Sequence, residues 1–195
     1  MTSPESRPPE WIELIRPTTR PVKQPLVAGS SSIAWYVEIH FERWAPPTGT
    51  EPPSKSDTYR KTLVVGETGT WSVAEIELVR RMRAGGWSAG WVDTFGSAPR
   101  AWASWLVDPG ELPTALRRSY NAITNDTGRT GGGGQPDVIA WRGDTLQDCA
   151  LIEYKGPSDK VRPGQDAWLN AALRAGLSPD QFAVVKWRKS GMRTP

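Results

Sequence analysis

The most regular alternation in the chain is IAWYVEIHFERW at 33–44, where Ile33, Trp35, Val37, Ile39 and Phe41 interleave with Glu38, His40 and Glu42. A period of two predicts a strand with one buried and one solvated face, and it places His40 on the solvated one. The turn-rich APPTGTEPPSKS at 45–56 follows, and then a second apolar segment, TYRKTLVVGE at 58–67. The two apolar segments are expected to pair as a long-looped hairpin. From Trp71 the period lengthens, and WSVAEIELVRRMRAGGW predicts a helix that opens at Ser72 and closes at Gly85–Gly86, where glycine takes the left-handed terminating conformation. A short strand, GWVDTF at 90–95, comes next, then a polar loop holding Arg100, Trp102 and Trp105, and then a helix in ELPTALRRSYNAI, whose Arg117 and Arg118 face solvent or a ligand.

The last third of the chain is the most informative. GGGGQPDVIAW at 131–141 enters a strand through a glycine run, RGDTLQD turns, and CALIEYKG at 149–156 forms a second strand. PSDKVRPGQDAWLNAALRAG at 157–176 becomes a helix after Pro163 and stops at Gly176, and FAVVKW at 182–187 is a final buried strand. Residues 1–31 contrast with this, because Pro4, Pro8, Pro9, Pro17, Pro21 and Pro25 recur among Ser, Thr and Arg. Such a segment cannot repeat a hydrogen-bond ladder and predicts a flexible, extended arm. The expected organisation is an arm at 1–31, a β-hairpin extension at 32–70, an α/β core at 71–188 and a basic tail at 189–195, with no internal repeat.

Composition narrows the classes without choosing one. With 195 residues, 37% of them hydrophobic, the chain fills one good core. A net charge of +3 permits a nucleic-acid partner without demanding it. The single cysteine, Cys149, excludes an intramolecular disulfide and a cysteine-based zinc site, and the single histidine, His40, argues against His-pair metal sites and Ser-His-Asp catalysis. The start MTSPESRPPEW lacks the features of a secretory signal, and no segment is apolar enough to cross a membrane, so a cytoplasmic protein is expected. Any catalysis then rests on carboxylates, Lys or Tyr.

Strand alternation puts Leu151, Glu153 and Lys155 on one face of CALIEYKG. A carboxylate and an ammonium in the middle of an apolar strand are costly unless they pair or bind something, and Asp137 opens the neighbouring strand. Two carboxylates placed in this way suit a hard cation such as Mg²⁺. Structural alternatives stand beside this reading: an Asx-type turn for Asp137, and an ion pair for Glu153 and Lys155. Most of the 11 tryptophans are expected in the core, Trp141, Trp168 and Trp187 among them, while Trp102 and Trp105 are candidates for stacking on bases.

Pro136-Asp137 followed by Glu153-Tyr154-Lys155 resembles the PD-(D/E)XK nuclease motif. The run GQPDVIAW…LIEYKGPSDKVRPGQDAWLNAALRAGL, with Gln165, Trp168 and Leu169 at helical spacing, resembles its VRR-NUC branch. The resemblance implies a restriction-endonuclease-like fold, with a mixed central sheet flanked by helices, and a nuclease that leaves a 5′-phosphate. It also implies Mg²⁺ or Mn²⁺ held by Asp137, Glu153 and the main-chain carbonyl of Tyr154, with Lys155 orienting the attacking water. One further acid is expected from the first helix of the core. Helical phase makes Glu75 the inward candidate and sets Glu77 with Arg80 and Arg81, although Ser72-x-x-Glu75 also fits a capping box. Gln165 is expected to touch the metal water or a phosphate, or else to be only a polar residue at a helix start. Asp159 is expected to shape the strand-to-helix turn. Arg100, Arg117, Arg118, Lys160, Lys186 and Arg188 are the candidate phosphate contacts to DNA. Cutting both strands would need a homodimer or a second encounter. A non-catalytic nucleic-acid-binding module and a nuclease acting on RNA are the alternatives to a DNA nuclease.

Overall fold

The computed structural model describes residues 7–41, 63–66, 68–92, 106–107, 111–127 and 134–189, with the backbone alone at 41, 106–107 and 188–189. Its elements in chain order are α1 (Glu10–Leu14), β1 (Val22–Pro25), β2 (Ile33–Phe41), β3 (Leu63–Val65), β4 (Trp71–Val73), α2 (Ala74–Ala84), β5 (Ser88–Val92), β6 (Leu106–Val107), α3 (Thr114–Asp126), β7 (Val138–Trp141), β8 (Cys149–Lys155), α4 (Pro163–Arg174) and β9 (Phe182–Lys189). Among the described residues, seven strands form one sheet in the order β1-β2-β9-β8-β7-β5-β6, and β3 and β4 form a separate antiparallel pair. The sheet is mixed: β9 runs parallel to both β2 and β8, whereas β7 is antiparallel to β8 and β5. Helices cover both faces, as expected for an α/β core.

The two faces are buried by separate apolar layers. Against α1 and α2 lie Ala150, Ile152, Ala183 and Val185, packed with Ile12, Ile15, Ile76, Val79 and Met82. Against α3 and α4 lie Ile139, Leu151, Phe182 and Val184, packed with Leu116, Tyr120, Ile123, Trp168 and Leu169. Strand alternation sorts β8 between the layers, so Glu153 and Lys155 fall on the α3/α4 side with Leu151, and Tyr154 falls on the α2 side with Ile152. Among the described residues, no helix is long and apolar enough to cross a membrane.

Two expectations about the N-terminal part are corrected. Residues 1–31 do not act as a flexible arm throughout, because Trp11, Ile12 and Ile15 are buried in the α2-side layer and β1 joins the sheet. Trp11 Nε1 also donates to the main-chain oxygen of Asp180 at 3.0 Å. The predicted hairpin between the segments at 33–44 and 58–67 does not form. Instead β2 pairs with β1 and, in parallel, with β9, with Trp35 opposite Ala183 and Phe41 opposite Lys189, while β3 pairs with β4. Helix α2 begins at Ala74 after Val73, and Ser72 lies in β4 with its hydroxyl bonded to the Val73 carbonyl, so the capping box does not form. The predicted helix ends at Gly86 and Gly176 carry φ of +80° and +96°. His40 is exposed and bonded to Glu38 at 3.1 Å, which fits a solvated strand face.

Candidate active site

Antiparallel pairing of β7 with β8 sets Val138 opposite Ile152, and one step further along the same register Asp137 stands opposite Glu153. Cross-strand neighbours project to the same face, so both carboxylates point toward α3 and α4. Asp137 is tied at two points. Its carbonyl accepts from Val92 N on β5 at 2.8 Å, and its Oδ2 accepts from Tyr154 N at 2.8 Å. The Asp137 carboxylate is close enough for its charge to act on the Glu153 carboxyl.

Glu153 is 2% exposed and Lys155 6%. Lys155 Nζ donates to Glu153 Oε1 at 2.6 Å, and Gln165 Nε2 donates to the same oxygen. Gln165 Oε1 accepts in turn from Arg162 N at 2.8 Å at the start of α4. With its oxygen held there, the amide can present only its NH₂ to the strand. Both donors therefore converge on Oε1, and Glu153 Oε2 is buried with no hydrogen-bond partner among the described residues. Burial is the main cause that pushes the Glu153 carboxyl well above the usual carboxylate range, Asp137's charge adds to it, and Lys155 opposes it. Two neighbouring carboxylates repel each other, and a cation between them would offset that repulsion.

The other candidate residues take different places. Glu75, 2% exposed, sits on the opposite side of the sheet, close enough to the Tyr154 phenol for its charge to raise that group. Burial is the larger cause of that rise, and Asp159 and Asp137 add to it. Among the described residues, no group of three or more His, Cys, Asp and Glu is arranged to hold a metal. Glu77 is also buried, at 1%, where it pairs with Arg80 and packs against the turn at Gly66. Gln165 caps the start of α4 through its oxygen, which fits the helix-start reading, and its NH₂ also holds Glu153, which neither reading of its position foresaw. Asp159 shapes its turn as expected, accepting from Gly156 N at 3.0 Å.

Among the candidate phosphate contacts, Lys186 is exposed and stands in register beside Lys155, on the same face. Lys160 and Arg118 are exposed, and Arg117 is half-buried on α3. Arg188 is placed only through the backbone of β9, and Arg100, Trp102 and Trp105 lie outside the described residues. Trp168 and Trp187 are buried, and Trp141 packs against the α3/α4 layer.

A family model described as the VRR-NUC domain matches residues 110–186. The matched segment is less than half of the chain. It takes in α3, β7, β8, α4 and most of β9, and so contains Asp137, Glu153, Lys155 and Gln165. The other strands of the sheet, β1, β2, β5 and β6, lie outside the match. The chain is similar to a solved structure of paFAN1 bound to a 5′-flap DNA with a gap, at 21% identity and a TM-score of 0.31, over 61% of this chain and 21% of that one. The aligned part thus spans about a fifth of that protein. No curated protein matches the chain.

Proposed function

We propose that the protein is a divalent-cation-dependent nuclease that hydrolyses phosphodiester bonds in DNA, with Asp137, Glu153 and Lys155 at its centre. The observation that carries this reading is the state of Glu153: one oxygen receives both Lys155 and Gln165, and the other is buried without a donor while the Asp137 carboxyl lies close by. An oxygen in that state fits a cation ligand, and Mg²⁺ needs only one or two carboxylates because it keeps several waters. Asp137, Glu153 and the main-chain carbonyl of Tyr154 would hold the ion. When bound, the ion supplies a Lewis acid that makes a water nucleophilic and neutralises charge on the phosphate.

The side chains do the rest. Lys155 carries three donors and uses one on Glu153, so it has others for an attacking water or a phosphate oxygen on the same face. Gln165 fixes which Glu153 oxygen faces the cation. Lys186, next to Lys155 in register, and Lys160 in the turn before α4 are the nearest candidates to bind the flanking phosphates, with Arg117, Arg118 and Arg188 further contacts. A preference for flaps or junctions is part of the proposal.

The reading is tested by incubating the protein with labelled flap, junction, duplex and single-stranded substrates, in DNA and RNA versions, with Mg²⁺, Mn²⁺, Ca²⁺ or EDTA. Cleavage with Mg²⁺ or Mn²⁺, loss with EDTA, and binding without turnover in Ca²⁺ are expected. Lys155→Ala and Asp137→Ala should each lower kcat by roughly 100-fold or more, with DNA affinity within a few-fold, because affinity is set by many phosphate contacts. The alternative is a non-catalytic nucleic-acid-binding module on the same fold. Tight DNA binding with no metal-dependent cleavage of any substrate would establish that module instead.

A further inference from the structure

The two carboxylates of the site come from different parts of the fold: Asp137 from the entry to β7, and Glu153 from β8 with its orientation set by the start of α4. A backbone contact joins these parts. Gly134, three residues before Asp137, has φ +105°, and a Cβ built on it would lie 2.2 Å from the Gly164 oxygen, 2.5 Å from the Gly164 carbonyl carbon and 3.1 Å from Gln165 N. The bare backbone of the strand entry therefore rests directly on the second residue of α4, with no room for a side chain between them. Gln165, the next residue, reaches Glu153 Oε1 while its own oxygen is held by Arg162 N. Asp137 is anchored to Tyr154 N on the same strand that carries Glu153.

We infer that Gly134 is a positioning residue, whose backbone contact with Gly164 sets the spacing between the Asp137 carboxyl and the Gln165-held Glu153 carboxyl. The inference rests on reading those acids as the cation site. Ordinary van der Waals contact begins near 3.4 Å, so a methyl group at Gly134 would force the two backbones apart by about 1 Å. The other contacts leave few ways to absorb that shift. The Asp137 carbonyl is fixed to β5, and α4 is fixed by the burial of Trp168 and Leu169. Moving the start of α4 would carry Gln165 away from Oε1, and moving the strand entry would carry Asp137 away from Glu153.

Two other glycines separate this effect from backbone strain. Gly29 and Gly69 have φ of +81° and +72°, and a Cβ on either would meet nothing within 4 Å. Gly29→Ala and Gly69→Ala thus carry the strain of a left-handed alanine without the clash. Full-length wild type, G134A, G29A and G69A are compared for kcat, KM, thermal unfolding and Mn²⁺ affinity by calorimetry. Expected for G134A are a fall in kcat of about 30- to 100-fold, KM within about threefold, and Mn²⁺ binding weakened about tenfold. G29A and G69A should match wild type within about twofold in all three. Wild-type kcat and Mn²⁺ affinity in G134A would overturn the inference. So would a G134A chain that fails to fold while G29A and G69A fold, since the contact would then serve the fold rather than the site. Wild type that neither binds Mn²⁺ nor cuts would remove the reading underneath, and that result is visible before any variant is made.

Discussion

Glu153 and Lys155 are two residues apart on a strand, and a period of two makes their shared face a matter of arithmetic. Asp137 joins them because an antiparallel register carried one step past Val138 and Ile152 sets it opposite Glu153. This much was legible in the sequence. The partner of Gln165 was not, because it depends on how α4 docks on β8, which no local pattern records. Burial of Glu77 was hidden for a similar reason: its surroundings come from the turn at Gly66, between β3 and β4, and not from its own helix. Gly134 left a faint signal, as the last glycine of a run placed three residues before an acid. Gln165→Leu, which keeps bulk and loses both hydrogen bonds, should lower kcat about 10- to 100-fold and cost about 1 kcal/mol of stability, read from kinetics and a urea titration. Cys149 gives a test at the same scale. Burial, and secondarily the charge of Asp148, pushes its thiol from 9.0 up to about 12, and Sγ donates to the Leu146 carbonyl at 2.9 Å. Because the folded value is raised, the contribution to stability is complete below about pH 9 and is lost as pH rises through about 12. An aromatic disulfide reagent at pH 8 should therefore leave the native thiol unmodified and react at once in denaturant, with the released chromophore as the measure.

Helices α2, α3 and α4 and strands β2, β5, β7, β8 and β9 follow from periodicity and from the glycines that end helices. The missed elements share a physical reason: they are too short for a period to show. Helix α1 is five residues, EWIEL, beginning after Pro9, and β1 is four residues ending on Pro25. Both sit in the stretch where recurring proline suggested an arm. The neighbour of β2 was misread because adjacent apolar segments often pair, and here β4 is the partner of β3, with Gly66 N bonded to the Thr70 carbonyl between them. Trp11 gives the test at this scale. It is 6% exposed and its indole bonds the Asp180 carbonyl beside β9, so Trp11→Ala should cost about 3–5 kcal/mol in chemical denaturation. A segment that was only an arm would show a change near zero.

The VRR-NUC match stops short of β1, β2, β5 and β6, yet the sheet does not. With one Asp137–Glu153 pair per chain, a single binding event is expected to cut one strand. Supercoiled plasmid should therefore accumulate as nicked circles before linear product appears, and the time course on a gel is the measure. Linear product without a nicked stage would mean that two copies act together. The place of β9 reaches beyond catalysis to how the protein is made. β9 is the last strand among the described residues, yet it lies inside the sheet, between β2 and β8. As a ribosome extends the chain, β2 emerges early and the β7–β8 hairpin later, and each holds one open edge until residues 182–189 clear the exit tunnel. Only then does a single strand zip the two parts of the sheet together, and until then both edges are open to sticking to other chains.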